Sequence, residues 1–309
     1  MTDSALHATI ETRGADSPRF WRDLSFWGLL PSWLLMGFAL ILPIAIIAAV
    51  SVATRGSHGG FTWDVNLEGY RQILFNEGWT GELEFTPQYL LIIFRTFLIA
   101  GATTVICLLF AVPVAYFISR QPAKRKAILV YLVTLPFWVS MILRVYAWMI
   151  ILGKDGTLAS ALEAIGFPDG MSFMFNDGAT LTAMVYTYMP LMVLPVFASI
   201  EKLDGTLIEA SHDLYGNRLT TLRRVILPLT TPGILAGAIL VFVPSLGAVL
   251  EPTLMGGGKQ MMMGSLIQLQ FGGGRNWPFG AAIAMTLMAL VMIFLVYAAL
   301  RAARKEPEA

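Results

Sequence analysis

Six stretches of the chain are almost uninterrupted runs of apolar residues, at about 29–53, 91–119, 127–151, 179–200, 232–255 and 279–300. A helix needs roughly 20 such residues to cross the hydrocarbon core of a bilayer. The pattern therefore predicts six transmembrane helices. Pro43, Pro113, Pro136, Pro190, Pro195 and Pro244 fall inside these runs, which membrane helices tolerate better than soluble ones. Some 28 mostly polar residues precede the first run, which is much longer than the roughly 7–15 residues of a secretory signal core. It is expected to be a retained span.

Composition agrees with an all-α membrane protein. Of 309 residues, 56% are hydrophobic and 13% charged, with a mean hydropathy of +0.68. A soluble chain would carry about 25% charged residues. The single cysteine, Cys107, excludes an intrachain disulfide and a cysteine metal cluster. His7, His58 and His212 are too scattered to suggest a metal site.

The basic residues orient the chain, because Lys and Arg concentrate in cytoplasmic loops. Arg13, Arg19 and Arg22 precede the first run, while Arg120, Lys124, Arg125 and Lys126 follow the second. Lys202, Arg218, Arg223 and Arg224 follow the fourth, and Arg301, Arg304 and Lys305 follow the sixth. The opposite side holds only Arg55, Arg71, Lys154, Lys259 and Arg275. Both termini are expected in the cytoplasm. Residues 1–28 and 301–309 then form tails, and 29–300 form the membrane domain. The outer segment 54–88, with Trp63 and Tyr70, is expected to hold a short interfacial helix. Trp21, Trp27, Trp33, Trp277 and Phe279 read as interfacial anchors.

The inner loop 201–231 is unusually long and has helical patterning of its own. Asp204 can cap a helix in which Leu207, Ala210, Ser211 and Leu214 recur at i, i+3, i+4 and i+7. Gly216-Asn217 breaks it. A second amphipathic stretch presents Leu219, Leu222, Val225 and Ile226, and Pro228 leads toward the fifth run. Two short helices of this kind make a rigid lever suited to docking a soluble partner.

Glu209-Ala210-Ser211, a nearby glycine and Val225-Ile226-Leu227-Pro228 resemble the EAA loop of binding-protein-dependent ABC importer permeases. The resemblance implies the six-span type I permease architecture, with a coupling helix in a groove of an ATPase subunit. Glu209, Ala210, Ser211, Gly216 and Pro228 would be the ATPase-coupling positions. Ser211 replaces the second alanine of the pattern, Val225 replaces an isoleucine, and Tyr215 stands where the glycine is expected. The likeness extends along the chain and narrows to the spermidine/putrescine permease group, first-permease type. It is carried by Arg95-Thr96, Leu135-Pro136-Phe137-Trp138, Arg144 to Trp148, Leu254 to Gly257 and Asn276 to Gly280. It implies a second, homologous permease, an ATPase dimer holding ATP and Mg, a periplasmic substrate-binding protein and a bacterial inner-membrane location. The expected cargo is putrescine or spermidine, or within the same class an opine, aminobutyrate or aminoalkylphosphonate. No nucleic-acid partner is expected.

Glu251 is the only acidic residue inside a predicted span. Ionisable groups there are costly, so binding is the default reading; the alternative is that Glu251, beside Pro252, meets water at the outer end of the span. Trp138, Tyr146 and Trp148 would add aromatic faces for a cationic solute. Arg144 either pairs with a carboxylate or snorkels outward, and facing the path it would suit a carboxylate or phosphonate cargo. Structural placement is the leading expectation for Arg95 and Arg144.

Gly233 and Gly237 are spaced for close helix contact, and Met261–Met263 reads as adaptable apolar surface. Gly256-Gly257-Gly258-Lys259 lacks phosphate-loop spacing and is followed by Gln260. The chain thus offers no nucleotide site, catalytic constellation or cofactor site of its own. A secondary carrier or channel would need ion-coupling carboxylates in several spans, and a membrane enzyme would need a nucleophile with its base or a metal motif such as HExxH.

Overall fold

A computed structural model describes residues 24–57, 59–77, 83–166, 168, 172–258 and 260–303. The sequence features at His7, Arg13, Arg19, Trp21, Arg22, His58, Lys259, Arg304 and Lys305 lie outside these residues, as do the side chains of Trp27 and Arg301. The chain divides into two units, Met1–Ala49 and Val50–Ala309. The described residues of the first belong to helix α1 (Leu24–Ser51), whose last two residues open the second unit.

The second unit begins with a hairpin of β1 (Thr54–Arg55) and β2 (Phe61–Thr62), one turn of helix α2 (Glu68–Arg71), and a hairpin of β3 (Phe75–Glu77) and β4 (Leu83–Phe85). The expected interfacial helix is therefore a single turn that includes Tyr70 but not Trp63. The remaining helices are α3 (Gln88–Ser119), α4 (Ala123–Trp138), α5 (Met141–Leu152), α6 (Thr157–Glu163) and α7 (Asp177–Glu201). They continue with α8 (Gly205–Asp213), α9 (Arg218–Thr221), a π-helical turn at Leu222–Ile226, α10 (Leu227–Leu229) and α11 (Thr231–Leu246). The chain ends with α12 (Leu250–Met255), α13 (Met263–Phe271) and α14 (Trp277–Ala303).

Four helices are long and apolar enough to span a bilayer by themselves: Leu30–Ser51 within α1, α3, α7 and Trp277–Leu300 within α14. The predicted third and fifth spans are not straight. The third breaks after Trp138, where Val139 and Ser140 are extended, and its two halves bend by 92°. The segment leading into α11 bends by 73° at Thr230, and α11 stops at Leu246 instead of running to 255. Counting each bent pair as one span gives six.

α3, α7 and α11 pack around a shared core that includes Cys107, Ala111, Ala115, Met184, Met192, Val196 and Val241. On α3 the buried stripe is largely of small residues, and the outer face carries Leu98, Val105, Leu109 and Phe117. That is the arrangement expected where lipid solvates large side chains as well as a core does, so that close backbone approach decides which face is buried. Gly233 and Gly237 serve the same end. A Cβ at 233 would stand 2.3 Å from the Ser199 Cβ, and one at 237 would stand 2.8 Å from the Met192 Sδ. Some buried hydroxyls bond within their own helices, as Thr103 does to the Ile99 carbonyl at 2.8 Å and Ser245 to the Val241 carbonyl at 2.6 Å. Met262 and Met263 are buried packing residues. Thr96 joins α3 to α13 by accepting the Met263 N–H at 2.9 Å.

Candidate functional site

The inner loop is built as a rigid lever. Asp204 caps α8 by accepting the Thr206 N–H at 3.0 Å, which holds its carboxyl below the usual aspartate range. Asn217 caps α9 in the same way through the Thr220 N–H at 2.8 Å. The two helices are tied by Ser211 and Thr221, whose hydroxyls meet at 2.9 Å. Ile208 is the buried anchor of α8. The face expected to be apolar is displaced: Leu207 and Leu214 are exposed, and so are Ala210 and Leu219. In the second stretch Thr221 and Ile226 supply the buried side. A nine-residue helix on a loop has room for only a narrow buried stripe, and Ile208 occupies it. Glu209, Ala210 and Pro228 face outward, and Ser211 is half-buried.

The late glycine has a geometric cause. Gly216 donates its N–H to the Ser211 carbonyl at 2.8 Å, and a Cβ there would lie 2.5 Å from that carbonyl oxygen and 2.7 Å from the Ser211 Oγ. Glycine is thus required at 216 by close approach. The left-handed residue of the turn is Tyr215, at φ 59°.

Toward the opposite end, the structure brings Arg144 of α5 and Glu251 of α12 into one buried cluster with Thr187 and Tyr188 of α7. Glu251 is 0% exposed and Arg144 9%. Glu251 therefore does not meet water, and it lies on a separate short helix beyond the end of α11. Among the described residues the two form no ion pair within 4 Å. Both Glu251 carboxylate oxygens, and Nε and Nη1 of Arg144, lack a hydrogen-bond partner. Arg144 neither snorkels outward nor closes on a carboxylate; its guanidinium sits 5.9 Å from the Phe137 ring centroid.

The aromatic candidates are not gathered round this cluster. Trp138 and Tyr146 are exposed. Trp148 packs edge-on against Tyr186, with ring centroids 5.6 Å apart, beside a largely apolar hollow of about 350 Å³ that also borders Ile106, Thr182 and Met189. Thr187, Tyr188 and Tyr186 share one stretch of α7 that the sequence shows only as part of an apolar run. Arg95 bonds Asp177 at the start of α7 and Gln260 before α13, so it fastens helix ends together. An aspartate opening a predicted helix was the available signal for that contact.

These features define a multi-pass membrane protein with an exposed, capped lever between its fourth and fifth apolar runs and buried charge at its other end. A sequence model of the family "binding-protein-dependent transport system inner membrane component" matches residues 111–306, and the chain belongs to that family. It is thus a permease subunit of an ABC importer, a transport component, which sets aside the secondary-carrier, channel and enzyme readings. It is 35% identical over 254 residues to the spermidine/putrescine transport system permease protein PotB of Haemophilus influenzae, covering 81% of this chain and 85% of that one. With the protein of the same name from Escherichia coli K12 it is 38% identical over 213 residues, covering 68% and 78%. In fold it is similar to a bacterial ABC transporter chain involved in the import of the acidic polysaccharide alginate. That likeness has a TM-score of 0.70 at 14% identity and covers 94% of this chain and 100% of that one.

Proposed function

We propose that the chain is the first-type permease of an ATP-driven polyamine importer, with six spans and both termini in the cytoplasm of a bacterial cell. Its partners are a second, homologous permease, an ATPase dimer that holds ATP and Mg, and a periplasmic binding protein. The observation that carries the cargo is the 35% identity over 81% of the chain to a spermidine/putrescine permease.

The coupling route runs through α8. Closure of the ATPase pair pulls on the exposed Glu209-Ala210 face, and the Asp204 cap and Ser211–Thr221 bond keep the lever stiff. Lys126 and Glu201, 2.6 Å apart, fasten the start of α4 to the end of α7, so movement of the loop is passed to the bundle. At the other end, Arg144 and Glu251 join α5 and α12 to α7 from inside the wall. The aromatic hollow at Trp148 and Tyr186 offers ring faces to a passing cation. Glu251 then shapes the path through the position of α12, while Trp138 and Tyr146 face outward toward lipid or the second permease.

Uptake of labelled putrescine and spermidine by cells expressing the full set of subunits tests this reading. ATP-dependent accumulation that Glu209→Ala abolishes is expected. Accumulation indifferent to Glu209→Ala would remove the coupling role, and assembly without uptake of either polyamine would remove the cargo.

A further inference from the structure

The tip of the lever places an exposed tyrosine at a left-handed capping position where glycine is the usual residue. Tyr215 adopts φ 59°, a region that glycine enters freely, asparagine readily and a bulky side chain rarely. The turn around it is fully tied. The Tyr215 N–H donates to the His212 carbonyl at 3.0 Å, the Gly216 N–H to the Ser211 carbonyl, and His212 Nδ1 meets the Gly216 carbonyl at 3.0 Å. None of these bonds uses the tyrosine side chain, which is 99% exposed, beside Leu214 at 82%. The left-handed turn itself closes α8 by satisfying the Ser211 and His212 carbonyls, but a glycine would close it at less cost, and the exposed tyrosine ring buries almost nothing in return.

We propose that Tyr215 is a specificity-determining anchor for the ATPase subunit, resting on the coupling reading of the loop. The left-handed turn aims the ring away from α8 into a pocket on that soluble subunit, and Leu214 covers the pocket's rim. Aromatic residues of this kind are favoured as buried anchors because they bring large rigid area at little entropic cost. Two observations select a protein over lipid as the occupant. The tip continues the exposed Glu209-Ala210 face, and its charges are of mixed sign, with Glu209 and Asp213 before it and Arg218 after it. An anionic membrane surface attracts uniformly basic segments and repels the two carboxylates, whereas a protein groove can match both signs. The phenol hydroxyl stays at the pocket mouth, so phenylalanine is expected to substitute nearly as well as tyrosine.

The test uses the assembled importer, affinity-purified through this chain in the wild type and in Tyr215→Gly, Tyr215→Asn and Tyr215→Phe variants. ATPase retained on the complex and hydrogen exchange across 205–221 are measured together. Tyr215→Gly and Tyr215→Asn are expected to weaken ATPase retention about tenfold or more while the loop exchanges no faster, and Tyr215→Phe is expected to keep it. A merely structural tyrosine would give the opposite pattern, since glycine relieves the turn. Full retention in Tyr215→Gly, or loss accompanied by faster exchange, overturns the proposal. If Glu209→Ala still breaks coupling in that event, only this inference falls; if it does not, the coupling reading falls with it. p-Benzoylphenylalanine at position 215 is expected to cross-link to the ATPase, and cross-linking to lipid alone overturns the assignment.

Discussion

Glu251 and Arg144 lie in the same buried cluster without touching, a carboxyl group on α12 and a guanidinium on α5 held against Thr187 and Tyr188 of α7. In a low-dielectric wall each stabilises the other across the gap, and removing one leaves the other without compensation. Arg144→Met is expected to cost on the order of 3 kcal/mol, read as a lower Tm of the detergent-solubilised complex. Adding Glu251→Gln to that variant should restore about 1–2 kcal/mol. Strictly additive losses would mean that the two charges do not communicate.

The contact of α7 with α11 has almost no slack at one point. Gly233→Ala sets a methyl 2.3 Å from the Ser199 Cβ and 2.7 Å from the Pro195 carbonyl, and such overpacking costs about 1–3 kcal/mol. Gly237→Ala sets a methyl 2.8 Å from the Met192 Sδ and 3.2 Å from its carbonyl oxygen, a looser contact whose nearest atom belongs to a flexible side chain, and should cost less. Thermal unfolding of the two variants side by side should show that order, with Ser199→Gly recovering part of the Gly233→Ala loss.

Lys126 and Glu201 lie at the start of α4 and the end of α7 and are partly solvated, with side-chain exposures of 24% and 42%. Pairs of this kind contribute about 0–1 kcal/mol and weaken with salt. Single charge reversals at either position should lower Tm slightly, and the double exchange Lys126→Glu with Glu201→Lys should restore it. The difference should shrink in high salt.

The lever has a pH dependence of known sign. Asp204 is held below the ordinary aspartate range by the Thr206 N–H, so its cap is fully present above the unfolded pKa of about 4 and is lost as pH falls through the lower folded value. Protection factors over 205–213, taken relative to the intrinsic exchange rate at each pH, should therefore fall at acid pH. Asp204→Asn, which can still cap through its amide oxygen, should remove that acid step.

Sequence patterning located the apolar membrane segments because span length is a property of local stretches. It also located the lever, since the Asp204 cap, Gly216-Asn217 and Pro228 signal their roles within a few residues. It misjudged the straightness of the spans. Nothing local marks Val139-Ser140 or Gly247 as the places where apolar runs turn, because an apolar run is equally content on either side of a bend. It also misjudged the buried face of α8, choosing Leu207 and Leu214 over Ile208, since a helix this short is too brief for periodicity to fix its phase.

By itself the sequence determined an all-α membrane protein with a long capped loop between its fourth and fifth apolar runs, because hydropathy and capping residues each act over short distances, and the resemblance of that loop to a permease motif gave the family. Only the tertiary structure decided that Arg144 shares a buried cluster with Glu251, that Arg95 is spent on Asp177 and Gln260, and that Gly216 yields to close approach while Tyr215 takes the left-handed turn. Those outcomes depend on which helix ends converge. In a bilayer, where lipid solvates apolar side chains as well as protein does, hydrophobicity does not choose the neighbours; close backbone contact and the pairing of polar groups do.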